Sequence, residues 1–274
     1  MMTGLSDLEI LLHAADIAER ESMRTWRSDE LEVEIKPDGS PVSTTDRLIE
    51  EFLRSLLAEH RPHDRVLGEE QGDQQGEEQG SGTRRWVIDP IDGTSSFVAG
   101  RREWGSLIGL EIDGVAVAGM VTMPAIGRRW WGTVADGAFT TDEPSATPRP
   151  IRSSVDPSPT PMRWACGPSI EQLDPVERRQ LRPLEDRGVY VPSSEWTTYP
   201  PLMVAEGTLD ASVHFGHRWD HAALAGVVVA AGGRVIDEHP RAAGHRYAAT
   251  YTSGSIDVRA DGPGTSGDPG LRAR

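Results

Sequence analysis

Two carboxylates separated by two residues carry the first chemical signal in this chain. Asp89-Pro90-Ile91-Asp92-Gly93-Thr94 follows the strand-like run RRWVI. At a strand end Asp89 and Asp92 can converge on one point, and like charges that close are costly unless a cation neutralises them. Hard carboxylate oxygens select Mg²⁺, Mn²⁺ or Ca²⁺ over zinc. Gly93 and Thr94 come next, and Ser95-Ser96-Phe97-Val98 can open a short helix. A helix N-terminus behind a glycine offers backbone N–H groups to an anion. One segment thus supplies metal ligands and a phosphate cradle, the usual division around Mg²⁺.

Two further acidic clusters flank this one in sequence. Gly68-Glu69-Glu70 follows a strand-like RVL, and Trp219-Asp220 opens an apolar helix running into Ala231-Gly232-Gly233. Taken singly, Glu69-Glu70 reads as a solvated loop start. Asp220 alone reads as an N-cap, a position where Asp is common. Their combination with DPIDGT reverses both readings.

These residues need elements to position them. Apolar spacing predicts helices over 5–27, capped by Ser6, and over 45–60, capped by Thr44, with turn chemistry in the Lys36-Pro-Asp-Gly segment between them. Residues 69–83 read as a mobile acidic loop, and RRWVID reads as a strand ending at Pro90. Antiparallel strands with Asp-Gly turns are expected over 105–141, then a linker over 143–161. Beyond it, strands near 163–167, 188–192, 209–215, 233–237 and 247–252 alternate with helices near 171–182, 197–206 and 219–231. The fold class is mixed α and β with crossovers. Residues 1–145 form an N-terminal part with most of the metal site. Residues 146–260 form a C-terminal part supplying Asp220 and specificity, and 261–274 a disordered tail.

The chain has 274 residues, 43 acidic and 28 basic, for a net charge of −15. That charge repels nucleic acid and anionic membranes. No apolar run is long enough to span a bilayer, and the N-terminus lacks a basic leader. Cys166 is the single cysteine. It excludes an intrachain disulfide, points to a cytoplasmic setting and reads as a small buried hydrophobe.

The order GEE, WVIDPIDGT, WD-x-AA, AGG resembles the inositol monophosphatase family of Mg²⁺-dependent, lithium-sensitive phosphatases over roughly residues 7–255. The upstream KPDGSPVSTTD element, ending at Asp46 and holding the only lysine, Lys36, matches as well. The resemblance implies a layered αβαβα sandwich, a homodimer, a small-molecule phosphate monoester as substrate and two to three Mg²⁺, with Mn²⁺ able to substitute. It implies that Glu69, Asp89 and the Ile91 carbonyl bind one ion, and Asp89, Asp92 and Asp220 a second. Glu69 would help hold a third. Thr94, paired with Asp46, would orient or deprotonate the activated water. The N–H groups of Gly93 and Thr94, with Ser95 beside them, would hold phosphate.

Within that family the stretches KPDGSPVSTTDR, VLGEE and PAIGRRWWGTVADGAF resemble actinobacterial-type histidinol-phosphate phosphatases, which makes L-histidinol phosphate the leading substrate. The specificity region departs from the pattern. Val213 stands where many relatives carry a substrate-binding Glu, Ser96 replaces an Asn, and Ala230 replaces a Glu. Ser194-Glu195-Trp196-Thr197 replaces a small-residue run. Either Glu195 supplies the missing carboxylate, or Trp196 and Tyr199 form a flat wall for another ring-bearing substrate. Core packing is the ordinary alternative for both aromatics. A nucleoside, cyclitol or sugar phosphate is the runner-up, and a non-catalytic relative a third reading. His217 and His221 are expected at the surface or in supporting roles, with one of them near the substrate entrance.

Overall fold

In the computed structural model two capped helices open the chain. Ser6 accepts from the Glu9 N–H and Glu9 answers, so α1 runs Asp7–Thr25. A hairpin of β1 (Val33–Ile35) and β2 (Pro41–Ser43) follows, turning through Lys36-Pro-Asp-Gly. The α2 helix (Thr44–His60) is capped by Ser43, not Thr44, and its returning carboxylate is Asp46. Residues 4–74, 84–143, 146–154, 161–192, 196–237, 246–254 and 256 are described. The expected tail 261–274, residues 75–83 of the expected loop, Ser194 and Glu195 lie outside them.

The first large sheet contains β3 (Arg65–Gly68), β4 (Gly72–Gln74), β5 (Arg84–Asp92), β6 (Gly105–Ile112), β7 (Val115–Met123), β8 (Arg128–Thr133), β9 (Gly137–Thr141) and β10 (Arg149–Ile151). A short helix, α3 (Thr94–Val98), follows β5. The strand order is β10-β9-β8-β7-β6-β5-β3-β4, with β3 parallel to β5 and the other pairs antiparallel. The second sheet takes β11 (Met162–Gly167), β12 (Gly188–Tyr190), β13 (Ala211–Gly216), β14 (Arg234–Asp237) and β15 (Tyr247–Thr252) in the order β12-β11-β13-β15-β14. Its connections hold α4 (Pro175–Arg179), α5 (Arg182–Glu185), α6 (Tyr199–Ala205) and α7 (Arg218–Ala230).

Alternation along the strands explains the layers. Trp86 and Ile88 face Ile10, Leu11, Ile49 and Leu53 of α1 and α2. Leu107, Val121 and Trp130 face Leu224, Val227 and Val228 of α7, which meet Tyr251 of the second sheet. Trp164 and Val213 face outward to Leu181 and Leu184. The result is the expected αβαβα sandwich. Cys166 is buried, with its thiol pushed up to about 11 chiefly by desolvation, as a packed hydrophobe requires. Among the described residues no helix is long and apolar enough to cross a membrane.

Four further expectations need correction. The β5 strand does not end at Pro90. Its pairing with β6 breaks after Asp89 and resumes at Asp92, so it bulges past the proline, where a missing N–H costs no ladder bond. The acidic loop begins as a hairpin, because Gly72 reverses the chain and β4 pairs with β3. The linker contains β10, an edge strand that tolerates Pro150. The single helix near 171–182 is two short ones after a 3₁₀ turn, broken because Pro175 and Pro183 both sit in first turns.

One contact seats the central helix. A Cβ at Gly119 would lie 2.1 Å from the Ala223 carbonyl, and one at Gly226 2.1 Å from the Ala118 carbonyl. The backbones of α7 and β7 therefore touch, which sets the height of Asp220 above the sheet. Gly119→Ala should cost about 1–3 kcal/mol by forcing α7 outward, read as a lower urea midpoint. An unchanged midpoint would show that this contact does not seat the helix.

Candidate active site

The bulge in β5 builds the centre. Ser106 Oγ donates to the Pro90 carbonyl at 2.5 Å, and the Ile91 side chain is fully buried, so the irregular segment is held from both sides. Gly93 then turns the chain at φ 81°, where a Cβ would stand 2.8 Å from the Glu103 carbonyl. This brings Asp89 and Asp92 to one side and starts α3 at Thr94.

Asp220 arrives from α7. It lies in the first turn, and its Oδ2 accepts from the His217 N–H at 2.6 Å. Gly216 leaves room for it, since a Cβ there would lie 2.5 Å from that oxygen. Asp89, Asp92 and Asp220 each offer an oxygen, all within 4.8 Å of one another. Asp89 Oδ1 is buried with no hydrogen-bond partner. An all-oxygen donor set with an orphaned buried carboxylate oxygen fits a hard divalent cation.

Glu69 comes from the end of β3, its N–H bonded to the Ile88 carbonyl at 3.1 Å. Lys36 Nζ donates to Glu69 at 2.9 Å and to Glu70 at 2.5 Å. Beneath them lies a pair that sequence reasoning missed. Buried Glu50 accepts from the Glu70 and Gln71 N–H groups at 2.9 and 3.1 Å and pairs with Arg54, which donates to the Gly72 carbonyl at 2.6 Å. On an amphipathic helix a Glu–Arg pair four residues apart reads as solvated, so only the nearby Gly68 hints otherwise. A Cβ at Gly68 would strike the Glu50 carboxylate at 2.1 Å.

Electrostatics follow from crowding. Burial, then neighbouring Glu69 and Asp92, lift Asp89 well above the usual carboxylate range. Burial and Asp220 push Asp92 up to about 7. Burial likewise lifts Glu69 to about 7, against the pull of Lys36. Asp220 goes the other way: burial opposes ionisation, but His217 and the nearby imidazoles hold it below the ordinary value.

Asp46 is fully buried and accepts from the Ser43 N–H at 2.9 Å and from the Thr94 hydroxyl at 3.3 Å. Burial raises its carboxyl to about 6. The Thr94 hydroxyl also reaches the Ile91 carbonyl at 2.9 Å, which keeps a lone pair for another partner. Gly93, Thr94 and Ser95 all sit at the start of α3, whose first N–H groups have no partner within the helix.

The specificity residues fall differently. Trp196 is 2% exposed and its Nε1 donates to Asp92 Oδ2 at 2.8 Å. It presents no free face for stacking, which corrects the flat-wall expectation. Tyr199 packs against Trp130 and bonds Arg128. Thr198, not singled out from sequence, also donates to Asp92 Oδ2. Val213 lies buried in the outer core. His221 is buried between Tyr251 and the Tyr247 carbonyl, away from the surface and in a supporting place. His217 is part-exposed and stacks on Trp219. Ala230 closes α7, ten residues and about 15 Å beyond Asp220.

The raised carboxyls have a stability consequence. Asp92, ordinarily at 3.8, stands near 7 when folded, and Asp89 is raised with it. Folding therefore favours their protonated forms. That stability is complete below about pH 4 and is lost as pH rises toward 7. The metal-free protein should melt lower at pH 7.5 than at pH 5, with added Mg²⁺ raising the midpoint more at the higher pH. Asp92→Asn should raise metal-free stability at pH 7.5 by about 1 kcal/mol while weakening cation binding. Destabilisation by that change would contradict the crowding.

Residues 7–265 match the inositol monophosphatase family. The chain is 40% identical to a glucose-1-phosphate thymidylyltransferase of Streptomyces griseus, covering 74% of each chain. It is 36% identical to a histidinol-phosphatase of Streptomyces coelicolor, covering 92% of this chain and 94% of that one. It superposes on the extragenic suppressor protein suhB of Bartonella henselae with a TM-score of 0.72 and 25% identity, covering 92% of this chain and 95% of that one. With the three-aspartate cluster in place and the match spanning nearly its whole length, the chain belongs to the inositol monophosphatase family.

Proposed function

We propose that this phosphomonoesterase hydrolyses L-histidinol phosphate to histidinol and phosphate with two to three Mg²⁺, Mn²⁺ serving as a substitute. The convergence of Asp89, Asp92 and Asp220 carries the chemistry. Glu69, Asp89, Asp92, Asp220 and the Ile91 carbonyl are the residues that would hold the ions. Bound divalent cations supply charge neutralisation at the phosphate and a lowered pKa for the attacking water.

The remaining work falls to this chain's own groups. Gly93, Thr94 and Ser95 direct unpartnered N–H groups toward the phosphate oxygens. Thr94 orients the nucleophile. A proton reaching its Oγ1 can pass to Asp46 Oδ1, 3.3 Å away. With its carboxyl near 6, Asp46 is ionised at pH 7.5 and able to accept. Glu69, raised to about 7, is a second candidate acceptor.

The substrate assignment is supported by the histidinol-phosphatase relative and its coverage of 92% of the chain. One observation favours a second reading, a sugar, cyclitol or nucleoside phosphate. Val213 is buried in the core and cannot meet an ammonium or hydroxyl group. The 40% identical relative is named for a sugar phosphate, which fits that alternative. The complete acidic set argues against a non-catalytic relative. The lone Cys166 supports a cytoplasmic setting, and the family resemblance a homodimer.

A phosphate-release screen with Mg²⁺ tests this across histidinol phosphate, inositol phosphates, nucleoside monophosphates and sugar phosphates. The highest kcat/KM is expected for histidinol phosphate. A sugar or cyclitol phosphate turned over in its place would establish the second reading, and no turnover at all the non-catalytic one. Asp220→Asn should lose at least about 100-fold in activity and remain folded. Activity should rise with pH through about 6, the Asp46 carboxyl, and Asp46→Asn should remove that limb. A limb that persists in this variant would show that another group accepts the proton.

A further inference from the structure

Asp92 is gripped by two donors that the phosphatase reading leaves without a role. Trp196 Nε1 donates to Asp92 Oδ2 at 2.8 Å, and the Thr198 hydroxyl donates to the same oxygen. Neither reaches Oδ1. A carboxylate free to turn about its Cβ–Cγ bond presents either oxygen, or both, to its neighbours. Two donors converging on one oxygen remove that freedom.

The donors are themselves fixed. Thr198 is fully buried, and the six-membered ring of Trp196 lies on Gly105, where a Cβ would come within 2.9 Å of Cζ2. Only glycine at that strand position leaves room for the indole. Both donors sit just before α6, which is clamped to β8. Arg128 donates to the Tyr199 hydroxyl and to Glu206 Oε1, both at 2.7 Å, and Trp130 Nε1 shares Glu206 at 2.7 Å. Arg128 also lies over the Trp130 ring at 4.3 Å. A continuous path of contacts thus runs from β8 through α6 to one oxygen of Asp92.

We infer that Trp196 and Thr198 are a positioning pair that turns Asp92 Oδ2 away from the cation and leaves Oδ1 to meet it, thereby setting cation affinity. This rests on reading the three aspartates as a cation site and not on any choice of substrate. Groups that orient metal ligands typically change affinity 10–100-fold when removed. Because both donors act on one oxygen, both are needed to fix its direction, and the two losses should not simply add.

Calorimetric titration of the full chain with MgCl₂ tests the pair. Thr198→Val and Trp196→Phe should each weaken Mg²⁺ binding about tenfold, the double variant should weaken it further, and Thr198→Ser should restore wild-type affinity. The Mg²⁺ concentration for half-maximal phosphate release should rise by the same factor, exceeding any fall in kcat at saturating Mg²⁺. Wild-type affinity in both single variants would overturn the inference. So would equal weakening in Thr198→Val and Thr198→Ser, since the hydroxyl would then be irrelevant. That threonine comparison decides the matter even if Trp196→Phe fails to fold. Calorimetry needs no turnover, so a protein that binds Mg²⁺ but cleaves no phosphate ester would sink the phosphatase reading and leave this one standing.

Discussion

Three aspartates whose oxygens crowd within 4.8 Å of one another define the problem the rest of the molecule solves. Like charges in a desolvated place repel, and water is not there to screen them. Without a cation the chain has two remedies. Protons can be retained, as the raised Asp89 and Asp92 show. Donors can also be aimed at the carboxylates, as the α7 cap does for Asp220, Lys36 for Glu69, and Trp196 with Thr198 for Asp92. Asp89 Oδ1 has no donor aimed at it, and on the cation-site reading it marks where a cation would be most needed.

Such a cluster persists only on stiff supports. The three aspartates come from two elements, so their spacing depends on how β5 and α7 are seated. On β5 the bulge past Pro90 is stapled by Ser106 and filled by Ile91. On α7 the helix backbone lies against Gly119, with no side chain between to compress. The Glu69 segment is held by the buried Glu50–Arg54 pair, whose charges are satisfied by each other and by backbone groups of residues 70–72. Breaking one partner of such a pair strands a buried charge, so its contribution is to specify geometry more than to add stability.

The legible part of this site was the part compressed into short segments. DPIDGT carries candidate ligands, its turn glycine and its helix start in consecutive residues, so the proposed chemistry shows in one dimension. The capped amphipathic helices α1 and α2 and the alternating strands β6 and β7 were legible because their periods are local. What stayed hidden depends on contacts across the chain. Trp196 read as a possible binding surface because an aromatic beside a site has no direction in sequence; its direction is set by Gly105, ninety-one positions earlier. Pro90 read as a strand end because proline lacks a donor, whereas the bulge needs none there. Glu50 and Arg54 read as solvent-facing because burial by the 68–72 turn is invisible from α2 alone.

The charge balance, finally, constrains how an anionic substrate can be held. The net charge is −15, and the only lysine is committed to Glu69 and Glu70. Binding phosphate beside four carboxylates in such a field is unfavourable until bound divalent cations invert it locally. Backbone N–H groups at α3 add direction but carry no net charge. Attraction for the phosphate therefore comes mainly from whatever cations the carboxylates hold, and the two binding events are coupled. By linkage, each raises the affinity of the other. On the proposed reading the orientation of Asp92 would then bear on substrate as well as on metal, although Trp196 and Thr198 need touch neither.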